Sequence, residues 1–238
     1  MITSNPLLGT FFHAIGGLCA SVFYIPHHKT RRWSWETYWV TQASFAWLIL
    51  PIVGAMITIP HLRVVLAEAP KSAMLHSWLL GMAYGIGGTM FGMAIRYIGY
   101  SLTYSIAVGL SSILGTLLPP LIDGKMSQLI HKPGGLVVLA GVALGAAGIG
   151  LCGFAGLLKE RDLDVKTAQA TEFSLAKGVP LCLVSGVLAA VFNFALIAGQ
   201  PIADVAAKHG AGIWQGNVIY IFAMSGAFGT PAVNVSAT

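Results

Sequence analysis

The chain has 238 residues, of which 56% are hydrophobic and only 9% charged, with 13 Lys and Arg against 8 Asp and Glu. Soluble domains carry roughly 25% charged residues, and so few charges cannot cover a water-exposed globule of this length. A chain this apolar is not intrinsically disordered either.

A hydrocarbon core about 30 Å thick takes roughly 20 apolar residues of helix. Runs of that kind, free of Asp, Glu, Lys and Arg, cover residues 7–26, 39–60, 73–95, 101–122, 134–158, 178–198 and 213–230. Every formal charge lies between them, which predicts an all-α, polytopic transmembrane helix bundle of about seven helices in a lipid bilayer.

The first run follows residues without Lys or Arg and is too long for the apolar region of a cleavable signal, so it is expected to stay as a helix. On a helical wheel His13, Gly17, Ala20 and Tyr24 share one stripe, opposite Phe11, Ile15, Leu18, Val22 and Ile25. The small and polar stripe suits protein or water, the branched one lipid. Next come His27, His28, Lys29, Arg31 and Arg32, then Trp33, Trp35, Glu36, Tyr38 and Trp39. Basic residues set topology and aromatic residues anchor an interface, so most of this cluster needs no further role. Glu36 also suits the start of the second helix through the helix dipole.

The third run holds Gly81, Gly85, Gly88 and Gly92 at spacings of four, three and four, a seam for close helix approach, with Tyr84 and Thr89 beside it. A tyrosine hydroxyl buried in a membrane needs a partner, which makes Tyr84 a candidate contact for a polar ligand. The fourth run aligns Ser101, Ser105, Ser112 and Gly115, with Tyr104 nearby; its hydroxyls serve packing or a sugar equally well. In the fifth run Gly148, Gly150 and Gly153 match a dinucleotide fingerprint, but they lie inside an apolar span rather than at a strand-to-helix turn, and helix packing explains them without a cofactor. Cys19, Cys152 and Cys182 are single residues in apolar runs, a pattern of packed thiols rather than of a disulfide or metal framework.

Residues 159–177 form the longest polar connection and are expected to be a linker between a first five-helix repeat, 1–158, and a second, 178–238. Five crossings invert the second half, as in inverted-repeat transporters. The string Gly17-Leu18-Cys19-Ala20-Ser21-Val22-Phe23-Tyr24 matches Gly186-Val187-Leu188-Ala189-Ala190-Val191-Phe192-Asn193 at four of eight positions, in agreement with that division. On this expectation the second repeat is incomplete, about three helices short. Eight Lys and Arg fall on the side of the 159–177 linker and five on the other, which puts the linker in the cytoplasm and the amino terminus outside.

The strings Phe12-His13, Phe23-Tyr24-Ile25-Pro26, Arg32-Trp33-Ser34-Trp35-Glu36-Thr37, Arg96-Tyr97-Ile98-Gly99 and Gly115-Thr116-Leu117 together resemble the L-rhamnose/proton symporter family of the drug/metabolite transporter superfamily. The resemblance implies ten helices in two inverted five-helix repeats, a bacterial inner membrane location and proton-coupled uptake of a 6-deoxyhexose. Two alternatives stay open: an exporter or exchanger of another small metabolite on the same fold, and a non-transporting sensor or assembly subunit. The uncharged polar faces favour a neutral sugar over an ionic substrate. Substrate contacts are expected from His13, Tyr24, Tyr84, Tyr104 and, through the repeat, Asn193. Within the spans His13 and His76 are the ionisable groups near neutral pH, and His13, deeper in its helix, is the better proton carrier. Glu36 is a second candidate. No catalytic residue, metal-ligand cluster, cofactor or nucleic-acid partner is expected, so the chain reads as a carrier of sugar and protons and not as an enzyme.

Overall fold

The computed structural model describes residues 6–22, 25–30, 33–166 and 173–235, with the backbone alone at 6, 21, 27, 28, 35, 160–166 and 231–235. Tyr24 lies outside the described residues. The described residues are helical throughout, joined by short turns. They form α1 (Pro6–Val22), α2 (Ile25–Lys29), α3 (Trp35–Ala43), a π-helical turn (Ser44–Ile49), α4 (Leu50–Thr58), α5 (Leu62–Glu68), α6 (Lys71–Ile98), α7 (Tyr100–Ile122), α8 (Met126–His131), α9 (Gly135–Lys166), α10 (Leu175–Lys208), a 3-10 turn (Gly212–Trp214) and α11 (Asn217–Val235). Among the described residues five stretches are long and apolar enough to cross a membrane: Glu36–Thr58, Lys71–Ile98, Tyr100–Ile122, Gly135–Lys159 and Leu175–Lys208, with Leu7–Ala20 a shorter apolar helix.

Backbone contacts divide the chain into two compact units, 1–42 and 43–238. In the first, α1 and α2 are described on either side of residues 23–24, and Pro26 stands in the first turn of α2, a position where its missing N–H costs no helical bond. The start of α3 is capped by Ser34, whose Oγ accepts from the backbone N–H of Thr37 at 3.2 Å, and Glu36 stands in the first turn, where an acidic group favours the helix dipole.

In the second unit α6 and α10 run side by side, α11 lies on α6, and α7 packs between α10 and α9. Close approach explains Gly81, Gly85 and Gly87 of α6. A side chain at Gly81 would run into the backbone of Ala223 on α11, one at Gly85 into the backbone of Ala227, and one at Gly226 into the Trp78 carbonyl. The packing reading of Gly148, Gly150 and Gly153 is corrected: a side chain at any of them would meet no atom within 4 Å, and α9 makes its close approach at Gly156, against Leu102 and Leu175. Only Cys182 is a buried thiol; Cys152 is half-buried and Cys19 exposed.

Two apolar clusters hold this unit. One gathers Ala55, Ile59, Val65, Ala69 and Ala73 with Ile202, Ala203, Ala206, Val218 and Ile219 at one end of the bundle. The other joins Ala94 and Ile98 of α6, Ile106 and Ala107 of α7, and Leu175 and Cys182 of α10. Beside the first cluster the ring of His209 meets Glu68, Nε2 to Oε2 at 2.8 Å. Helices outrun the apolar runs because a charge ends a hydrophobic window but not a helix. Thus α9 continues through Lys166, into the expected 159–177 linker, and α10 continues ten residues past Ala198.

Candidate functional site

Proline and the π turn set the first wall. Pro51 has no N–H to donate, so the carbonyls behind it lose an ordinary helical partner. The backbone takes up the slack over Ser44–Ile49, where the Leu50 N–H reaches back five residues to the Phe45 carbonyl. Trp47 sits in that turn, and its ring meets Tyr84 of α6 at 5.8 Å between centroids.

From Tyr84 the aromatic contacts continue across the bundle. Its ring lies 4.6 Å from Phe192 of α10, and Phe192 lies 6.3 Å from Tyr220 of α11. Four rings from four segments thus form one file, and all four are half-buried rather than sealed. Such spacings are those of favourable aromatic pairs. The glycine contacts that bring α11 onto α6, and Gly87 of α6 against Leu188 of α10, set the separation. A second group joins Tyr104 to Phe91 at 5.7 Å and to Tyr100 at 5.1 Å.

The serine face of α7 is satisfied within its own helix. Ser105 Oγ donates to the Ser101 carbonyl at 2.9 Å, Ser112 Oγ to the Val108 carbonyl at 2.9 Å and Thr116 Oγ1 to the Ser112 carbonyl at 2.8 Å. Hydroxyls bonded in this way answer their own backbone first. Between α4 and α11, Asn217 Nδ2 donates to Thr58 Oγ1 at 3.0 Å. A cavity lies along the same two helices, with Tyr220 in its wall.

The expected site residues that are described fall in four places. Tyr84 stands inside the aromatic file, and Tyr104 in the neighbouring aromatic group. Asn193 is exposed on α10, while its neighbour Phe192 turns inward to Tyr84. His13 and Glu36 belong to the amino-terminal unit, His13 exposed on α1 and Glu36 exposed in the first turn of α3. The sequence reading did not single out Trp47, Phe192, Tyr220 or Asn217. For Phe192 a signal existed, since it is one of the identical positions in the two matched strings. For the other three the signal is tertiary, because nothing within one helix says which ring on another helix it meets. Among the described residues no group of three His, Cys, Asp or Glu is placed to hold a metal ion.

The family model of the L-rhamnose-proton symport protein matches residues 2–236. Among curated proteins the chain is similar to the L-rhamnose-proton symporter of Klebsiella pneumoniae strain 342, with 38% identity over 203 residues, 85% of this chain and 58% of the relative. It is also similar to that of Pectobacterium atrosepticum, 39% identical over 84% of this chain and 57% of the relative. The symporter of Escherichia coli O1:K1 is 37% identical over 85% of this chain and 58% of its own length. The chain therefore spans less than three fifths of the curated relatives it matches. No solved structure matches it.

Proposed function

The chain belongs to the L-rhamnose-proton symport protein family, and on that premise we propose that it acts in proton-coupled uptake of L-rhamnose or a related 6-deoxyhexose across a bacterial inner membrane. The observation that carries this reading is the family match along nearly the whole chain, joined to a half-buried aromatic file that runs through spans free of formal charge at its level. A neutral sugar offers hydroxyls to polar groups and C–H faces to rings, and a charged substrate would need a counter-charge that the apolar runs lack.

In this reading the 159–177 segment is cytoplasmic and the amino terminus periplasmic, in keeping with the distribution of Lys and Arg. The halves 1–158 and 178–238 are inverted repeats, supported by the matched strings ending at Tyr24 and Asn193. Tyr84 and Tyr104 contribute to the sugar site together with His13, Tyr24 and Asn193. His13 carries the proton, with Glu36 as the second carrier.

The test is uptake of labelled L-rhamnose by proteoliposomes holding the purified chain, with the lumen alkaline to the bath. Uptake that collapses on adding a protonophore, and that Tyr84→Ala lowers about tenfold while Val22→Ala leaves it unchanged, is the expected result. Uptake insensitive to the proton gradient overturns the coupling. Equal uptake by the two variants removes Tyr84 from the site.

A further inference from the structure

The cavity between α4 and α11 is an open cleft of about 280 Å³, with the exposed Leu50 at its edge, just below the size of ordinary ligand pockets, which run from roughly 300 to 1,000 Å³. A monosaccharide ring fits it with one side left open. Leu50, Pro51 and Met224 make it apolar on one part of its wall, and Asn217 and Tyr220 supply polar atoms on another. A 6-deoxyhexose has the same division, with a ring of hydroxyls and one methyl group.

The hydrogen bonds orient the carboxamide. Thr58 Oγ1 lies 2.7 Å from the Gly54 carbonyl, to which it donates its single proton. It can then only accept from Asn217, so Asn217 must present Nδ2 to it, as the 3.0 Å contact shows. The acceptor Oδ1 is thereby turned away from Thr58 in a fixed direction. A preset acceptor of this kind needs no reordering to receive a sugar hydroxyl. One turn along α11, Tyr220 adds a phenol and a ring face, and its ring touches Phe192 at the end of the aromatic file. Gly54 keeps the space open: a side chain there would meet nothing within 4 Å.

The geometry points to this cavity as a monosaccharide-binding subsite, with Asn217 as the hydroxyl acceptor and Tyr220 as the stacking ring. The assignment rests on the sugar reading above and adds a place and two residues to it. It also explains why the glycine at position 54 is unlike Gly81, Gly85 and Gly87 of α6, which are small so that another helix can approach.

The experiment measures L-rhamnose binding to the purified chain in lipid nanodiscs, by equilibrium dialysis of labelled sugar and by sugar-dependent thermal stabilisation. Gly54→Leu fills the cavity and is expected to abolish both signals without lowering the melting temperature in the absence of sugar. Asn217→Ala, the milder change, is expected to weaken binding about tenfold, as loss of one well-oriented hydrogen bond does. Gly145→Leu on α9, where a side chain also meets nothing within 4 Å, serves as the control and should bind like the parent. Parent-like affinity in Gly54→Leu or in Asn217→Ala overturns the subsite and leaves the sugar reading standing. Absence of rhamnose binding by the parent chain overturns both.

Discussion

Helices α6 and α9 are built from the same materials and end in opposite situations. Both are long, apolar and rich in glycine, yet 28% of the most apolar stretch of α6 is buried within the protein, against 6% for α9. In α6 Gly81 and Gly85 receive the backbone of α11, whereas Gly148, Gly150 and Gly153 of α9 receive nothing within 4 Å. Glycine spacing alone therefore does not announce a packed seam. What distinguishes the two is a facing helix with small residues of its own: α11 places Ala223, Gly226 and Ala227 against α6. In a bilayer this matters more than in water, because lipid is as apolar as leucine and only close fit favours one helix over lipid.

Three substitutions grade that contrast. Gly81→Leu should cost about 3 kcal/mol or more, since the obstacle is the Ala223 backbone and neither helix can yield without separating. Gly156→Leu should cost roughly 1 to 2 kcal/mol, because the obstacles there are the side-chain ends of Leu102 and Leu175, which can change rotamer. Gly148→Ala should stabilise by about 0.5 to 1 kcal/mol, the ordinary gain of alanine over glycine inside a helix with room for a methyl group. Reversible unfolding in mixed detergent micelles measures all three. A loss at Gly148 as large as that at Gly81 would mean that the two helices do not differ in the way described.

Much of the fold was legible in the sequence, because the absence of charge over 20 residues is a strong and local signal. Among the described residues each of the seven apolar runs is helical over most of its length, and the glycine seam read beside Tyr84 holds at Gly81 and Gly85, which meet the α11 backbone. The facing of α10 was not legible. Its buried positions follow Cys182, Gly186 and Ala190 near α7, then shift to Ala195, Gly199, Ile202 and Ala206 near α5 and α11. A 34-residue helix that meets different neighbours at its two ends changes its buried stripe midway. Asn193 stands at that change and is exposed, though a single wheel drawn from Cys182 would bury it. The ring partners of Tyr84 were hidden for a related reason: Trp47, Phe192 and Tyr220 come from three other segments, and no periodicity within one segment reports on another.

The π turn at Ser44–Ile49 bears on how sequence variation in this helix is to be compared. A backbone bond that spans five residues instead of four inserts one residue into the helical count, and one residue of an α-helix is about 100° of rotation. Positions before residue 44 and after residue 49 therefore belong to two different phases. A helical wheel carried through from Ala43 to Gly54 would put Gly54 on the wrong side by about a quarter of a turn. In a relative with another residue in place of Pro51, a continuous α-helix would be open to the backbone, and an alignment without gaps would then pair residues that share a column but not a face.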